Sequence, residues 1–390
     1  MALDFQQIYR KIKEIAAGEG RRQERLADLR RRARDLLREH AHHVDELRRR
    51  VALAREYDPG LRCASPVNEP LDTRVPAPAS VKEVTLLAVD GSQAAPDRHA
   101  ALQYALLNVG AIVLRANSNN SPEVRTVSDL LFGEALFFED APMGEGLLSL
   151  QRDLKERLLL DDWTKDLSTP VIALIDGPIE LWGVKGTEDS GAYRKGLQQY
   201  LTVLSRLHTR GVILAGYVDK PGADLVVRLL EIAAVDESDL RDVRRQRPLR
   251  GVSDRWLFGE PGKPLLKAGE RSAVFAMQSK SGTFYEGALS LHFFYLNVGT
   301  ERHPWLARVE VPHWVAEDGE KLALLHAALL RQCRAMGARP YPYALHRAHE
   351  IAVVSYDEKA QVEQMLSIEL RRQGVAPDER SYKQEAKERG

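Results

Sequence analysis

The chain has 390 residues, enough to bury a large core and more than one small domain needs. Its 44% hydrophobic and 29% charged content is that of a soluble globular protein, and 56 basic residues balance 56 acidic ones. The zero net charge excludes a global field for nucleic acid or membrane, so any DNA contact needs a local basic patch. Only Cys63 and Cys333 occur, which excludes a disulfide framework, lacks zinc spacing and fits a reducing cytoplasm. No run is long and apolar enough for a bilayer, and Met1-Ala-Leu-Asp-Phe5 carries no apolar signal core, so a cytoplasmic protein without a membrane partner is expected.

In chain order, residues 5–57 read as a helical arm. Leu26, Leu29, Ala33 and Leu36 follow three-four spacing, Val44, Leu47 and Val51 resume it, and His40, His42 and His43 mark the change of phase. The pattern predicts one long amphipathic helix or a helical hairpin, or a coiled-coil arm for a partner or a second copy. The three histidines lack an acidic or cysteine partner at ligand spacing and read as solvated positions. Residues 58–80 hold five prolines and read as a linker rather than an element. An α/β domain over 81–374 follows, then a polar tail over 375–390.

Strand signals cover 84–90, 102–114 (broken at Asn108-Val-Gly110), 171–176, 211–218, 272–277, 290–297 and 306–311. Helix signals cover 145–163, 191–208, 222–234, 318–336 and 358–373. A hairpin of 84–90 with 102–114, followed by alternating helices and strands, predicts a mixed β-sheet flanked by helices.

Val84-Thr-Leu-Leu-Ala-Val-Asp90-Gly-Ser92 and Val171-Ile-Ala-Leu-Ile-Asp176-Gly-Pro178 share one design. Each reads as a buried strand delivering an aspartate at its end before a sharp turn. Paired carboxylates outside the ends of sheet strands suit a hard divalent cation. Asp-Gly is also a plain turn signal, and the repetition is what favours chemistry. Between them, Leu147, Leu150, Leu154 and Leu158 predict one apolar helix face. Arg152 and Glu156 share the neighbouring face, either as a surface ion pair or with Glu156 leaning toward Asp90 and Asp176. Glu145 and Asp153 are alternatives for a third carboxylate.

Tyr341, His346, His349 and Glu350 form a late cluster able to ligate a metal, pass a proton or simply start a helix. Lys220 follows another strand and is a candidate for the scissile phosphate, or an ordinary turn lysine. Arg244, Arg245, Arg247 and Arg250 make the most basic segment outside the arm, for DNA contact or for a solvated loop. Trp256, Phe258, Phe284 and Tyr285 fit base stacking or a core equally well.

The ordered set Ala88-Val-Asp90-Gly-Ser92, Asn108-Val-Gly110, Arg152 with Glu156, Ile175-Asp176-Gly177, Val309-Glu-Val-Pro312 and Tyr341-Pro with Ala348-His349 resembles the NurA family of prokaryotic DNA nucleases over roughly residues 80–360. That resemblance implies an RNase H-like fold and a Mn²⁺-dependent nuclease, with Mg²⁺ as the alternative and two ions in the site. It also implies a homodimer working with a HerA-type hexameric translocase to resect DNA from 5′ ends. By motif match Asp90, Glu156, Asp176 and His349 take the metal-binding places, and Tyr341 the tyrosine upstream of that histidine. The rival expectation is a non-catalytic adaptor with the same fold that binds the translocase and single-stranded DNA.

Overall fold

A computed structural model describes residues 3–79, 83–97, 102–115, 121–138, 141–168, 170–181 and 191–375. Its helices are α1 (Phe5–Glu39), α2 (Val44–Tyr57), α3 (Glu145–Thr164), α4 (Gly191–Thr209), α5 (Leu225–Ala234), α6 (Asp254–Gly259), α7 (His313–Ala316), α8 (Gly319–Ala335), α9 (Tyr343–Ala352) and α10 (Tyr356–Arg372). Its strands are β1 (Cys63–Pro66), β2 (Arg74–Val75), β3 (Thr85–Ala94), β4 (Tyr104–Arg115), β5 (Glu123–Phe132), β6 (Phe137–Phe138), β7 (Ala141–Pro142), β8 (Val171–Asp176), β9 (Ile213–Asp219), β10 (Arg271–Ser272), β11 (Phe275–Gln278), β12 (Leu291–Asn297) and β13 (Leu306–Pro312). Two compact units result: Met1–Pro78 with Val218–Ala316, and Ala79–Tyr217 with Glu317–Gly390. This division differs from the expected arm, linker and single α/β domain. Among the described residues no helix is long and apolar enough to cross a membrane.

The second unit carries strands in the order β5-β4-β3-β8-β9. β4 runs antiparallel to both β3 and β5, whereas β3, β8 and β9 are mutually parallel. With α3 and α9 packed on β3 and β4, this is the mixed, helix-flanked sheet of an RNase H-like fold. The central position of β8 explains its sequence. Val171 to Ile175 are all buried, as a parallel strand covered on both faces requires.

Two expectations about the strands are corrected. The chain does not turn after Asp90: β3 continues through Gly91 and Ser92 to Ala94. The ladder with β4, unbroken from Thr85↔Arg115 to Ala94↔Leu106, outweighs the local turn preference of Asp-Gly-Ser. Nor does Asn108-Val-Gly110 break its strand, since β4 runs without interruption. The turn predicted after Asp176 is present, with Gly177 at φ +87°. Strand β5 carried no recognised signal. The predicted leucine face of α3 is also revised: Leu148, Leu150, Leu159 and Leu160 are buried, whereas Leu158 is exposed.

In the first unit α1 and α2 form a hairpin broken at His40–His43 and packed on α5. Ala33, Leu36 and Leu37 anchor α1, and Leu47, Val51 and Ala54 anchor α2. The segment 58–80 is not a bare linker, because β1 pairs antiparallel with β11 and β2 with β10. β11, β12 and β13 form an antiparallel meander. Helix α5 is buried almost all round, and its two inner charges are answered locally. Glu231 accepts from Arg228 and Arg247, and from the Leu249 amide. Asp254 accepts from the Val226 and Val227 amides at the start of α5, and from the Tyr295 hydroxyl. Both cysteines are free and buried, and burial pushes the Cys63 thiol up to about 12.

Candidate functional site

The site is built on the second unit, where β3 meets β8. Their parallel register runs to Val89↔Ile175, so the next step along both strands sets Asp90 beside Asp176, about 5 Å apart along the hydrogen-bonding direction. Asp90 is half-buried and Asp176 is exposed. The Asp90 Oδ1 accepts from the Gly91 amide at 2.8 Å.

Helix α9 brings His349 to Asp90, with Nδ1 2.7 Å from Oδ2. The approach is possible because position 110 has no side chain. A Cβ there would lie 2.7 Å from the Ala352 amide nitrogen and 2.9 Å from the Ala348 carbonyl oxygen. The end of α9 is then tied down by the sheet. Ser92 Oγ donates to the Ala352 carbonyl at 2.5 Å, and Asn108 Nδ2 donates to the same oxygen at 2.8 Å. The Asn108-Val-Gly110 motif is therefore a docking site for the helix that carries His349.

Helix α3 brings Glu156 to the other side of Asp90. A Cβ on Gly91 would sit 2.6 Å from Glu156 Oε1 and 2.8 Å from Arg152 Cγ, so the glycine serves close packing rather than a turn. Glu156 is only 5% exposed. Its Oε2 accepts from Arg157 at 2.6 Å, and Oε1 lies 3.4 Å from Arg152 Nε. Burial pushes the Glu156 carboxyl up to about 7; Arg157 and Arg152 pull it down, while Asp153 and Asp90 push it up. Arg157 is buried against Tyr200 and Glu156, and sequence reasoning missed it. Of the alternative acids, Asp153 is held by Arg152 at 2.7 Å, and Glu145 is exposed in the first turn of α3.

Tyr341 packs edge-on against Tyr217, with ring centroids 5.5 Å apart. Tyr217 is the register partner of Asp176, which puts Tyr341 at the same end of the sheet. His346 lies 3.5 Å from Glu350 on the exposed face of α9. The remaining candidates belong to the first unit. Lys220 adopts φ 42° and places Nζ 3.7 Å from the centre of the Trp305 ring. Arg244, Arg245 and Arg250 are exposed, whereas Arg247 is committed to Glu231 and Asp224. Phe258 and Tyr285 are core, Trp256 lies under Arg30 at 3.8 Å, and Phe284 is exposed.

Among the described residues no three His, Cys, Asp or Glu side chains converge as a ready metal cage. His349 closes on Asp90, and Arg157 closes on Glu156. The donor chemistry nevertheless fits a hard divalent cation. Asp90 and Asp176 offer oxygens at adjacent strand ends, and Glu156 is a buried acid crowded by Asp90 and Asp153, a repulsion that a cation offsets.

Several solved structures are similar to this chain. The NurA nuclease from Sulfolobus solfataricus is 13% identical, with TM-score 0.49 over 94% of this chain and 98% of that one. A NurA bound to dAMP and manganese is 13% identical, with TM-score 0.34 over 73% and 88%. The catalytic domain of human Endonuclease V is 16% identical, with TM-score 0.30 over 83% and 98%. No curated protein matches the sequence. The NurA domain model matches residues 84–354, most of the chain and all of the strands, helices and turns that carry Asp90, Glu156, Asp176 and His349, and the chain belongs to the NurA family.

Proposed function

We propose that the protein is a metal-dependent DNA nuclease. The observation that carries this reading is the pair Asp90 and Asp176 on adjacent parallel strand ends, with Glu156 against Gly91 and His349 on Asp90. Asp90, Asp176 and Glu156 would hold Mn²⁺, or Mg²⁺ in its place, and His349 would complete the set. The imidazole nitrogen favours Mn²⁺ over Mg²⁺. A pair of such ions activates water and offsets charge on the transferred phosphate and its leaving oxygen.

The chain's own residues have separable tasks. Arg152 and Arg157 hold Glu156 in place. His349 orients Asp90 while no metal is bound, and Tyr341 lines the approach from β9. Lys220, with its φ of 42°, is the candidate for a phosphate contact from the first unit, and Arg244, Arg245 and Arg250 for the DNA backbone. The substrates proposed are single-stranded DNA and the 5′ ends of duplexes. The setting proposed is a cytoplasmic homodimer fed by a HerA-type hexameric translocase in end resection. That part rests on family membership.

The test is digestion of end-labelled single- and double-stranded DNA with Mn²⁺, Mg²⁺ or EDTA, beside Asp90→Ala. Mn²⁺-dependent cleavage absent from the variant supports the reading. Absence of cleavage with every metal, and after addition of the translocase, would make the protein an adaptor.

A further inference from the structure

Strand β5 ends the sheet of the second unit. It pairs with β4 from Tyr104↔Phe132 to Val113↔Glu123 without a bulge, and among the described residues no strand occupies its other edge. That edge presents a row of unpaired backbone donors and acceptors. Proteins commonly blunt such an edge with proline, a bulge or short length. β5 has none of these over ten residues, and it exposes Val124 (54%), Val127 (42%), Leu130 (43%) and Phe132 (40%).

The sequence of β5 is self-complementary. A two-fold axis perpendicular to the sheet keeps every residue on its own face, so residues of like parity stand opposite each other. With the axis at Val127, Val127 faces its own counterpart. Thr126 then faces Ser128, Val124 faces Leu130, and Arg125 faces Asp129, twice by symmetry. Moving the axis to Thr126 sets Glu123 against Asp129, and moving it to Ser128 sets Asp129 against Val127. Only the Val127 register matches charge with charge, hydroxyl with hydroxyl and apolar with apolar. Arg125 already lies 3.3 Å from Asp162, and Asp129 2.7 Å from Lys155, both on α3. Pairing therefore joins two surface ion pairs into an alternating row from Asp162 through Arg125 to Asp129 of the partner subunit.

We infer that β5 is a docking edge for a second copy of this chain, paired antiparallel about Val127 so that one sheet continues through both subunits. The inference gives the proposed homodimer a surface and is independent of the nuclease reading, because its test reads assembly and not cleavage.

Two measurements on the full chain decide it. Opposed residues in an antiparallel pair have Cα atoms about 4.5–5.5 Å apart, within disulfide reach. Val127→Cys should form a covalent dimer under mild oxidation, and Val124→Cys, about six residues from its counterpart in this register, should not. The native Cys63 and Cys333 are buried and do not compete. In sedimentation, Arg125→Asp or Asp129→Arg alone should raise the dimer dissociation constant at least about tenfold, since two opposite-charge pairs become like-charge pairs. The double exchange should restore it. A monomeric wild-type protein, a Val127→Cys dimer that stays uncrosslinked, or single variants that dimerise as wild type would each overturn the inference.

Discussion

Each unit buries a carboxyl group, and the two treat it in opposite ways. In the first unit Asp254 is fully buried with three donors at hydrogen-bonding distance: two amides of α5 and the Tyr295 hydroxyl. In the second, Glu156 is almost as buried, but its neighbours include Asp90 and Asp153 as well as Arg152 and Arg157. Donors close the first acid into the fold, whereas like charges crowd the second at the end of a sheet. A closed acid is a structural fastening, and a crowded one beside a second carboxylate is a place for a cation.

The largest expected effect separates the two by isosteric amides. Glu156→Gln should lower metal-dependent cleavage by about a thousandfold or more, because cation-mediated charge stabilisation is worth several kcal/mol. Asp254→Asn should leave turnover of the folded protein unchanged. Single-turnover rates on labelled single-stranded DNA read both. Equal loss in the two variants would dissolve the distinction.

Asp254 should instead show itself in stability. Truncation to Ala removes the acceptor for two helix-start amides and strands the buried Tyr295 hydroxyl, for a loss of about 3 kcal/mol in urea titration. Its pH dependence has a definite sign. Burial pushes the carboxyl from 3.8 up to about 6, against the pull of the Tyr295, Val226 and Val227 hydrogen bonds. Between those values the folded state holds a proton that the unfolded chain has released. The associated stability is complete below 3.8 and is lost as pH rises through about 6. Asp254→Asn should flatten that slope; an unchanged slope would locate the titration elsewhere.

The contrast also explains what the sequence made legible. Asp90 and Asp176 could be read because each ends a run of apolar residues long enough to be a covered strand. Glu156 could be paired only with Arg152, four residues away, since neighbours in a helix do not normally face one another. Its closer partner, Arg157, is placed by tertiary packing against Tyr200 and was invisible. Strand β5 lacks the alternation that marks a half-buried strand, because its outer edge and much of both faces are exposed. Gly91 and Gly110 were seen but misread. A glycine that admits a helix looks, in one dimension, like a glycine that makes a turn. The prolines of 58–80 likewise hid β1, whose Pro66 stands at a strand end, where a missing amide is tolerated.

Gly110 therefore offers the next test. Gly110→Ala places a methyl group against the backbone of α9, which cannot retreat as a flexible side chain can. Overpacking of this kind costs about 1–3 kcal/mol. If α9 shifts, His349 leaves Asp90 and turnover falls beyond what the stability loss explains. Gly91→Ala meets the side-chain ends of Glu156 and Arg152, so it should disturb the metal site more than the fold. Metal affinity by calorimetry beside thermal melting distinguishes the two. A Gly110 variant with normal turnover would show that the position of α9 is not critical.

The smallest effects lie in the basic segment of the first unit, where the same contrast recurs within four residues. Arg247 spends its guanidinium on Glu231 and Asp224, and Glu231 has no exposed side-chain surface. Removing Arg247 takes one of the partners of a buried carboxylate, so Arg247→Ala should lower stability and leave the salt dependence of DNA binding unchanged. Arg244 and Arg245 are exposed, and their loss should be nearly neutral for folding. If they contact phosphates, each Ala variant should weaken binding to all sequences alike and reduce the slope of log affinity against log salt by about 1. Binding isotherms across a salt series supply that slope. A reduced slope in Arg247→Ala, with none in Arg244→Ala or Arg245→Ala, would reverse the assignment and make the internally paired arginine the one that meets DNA.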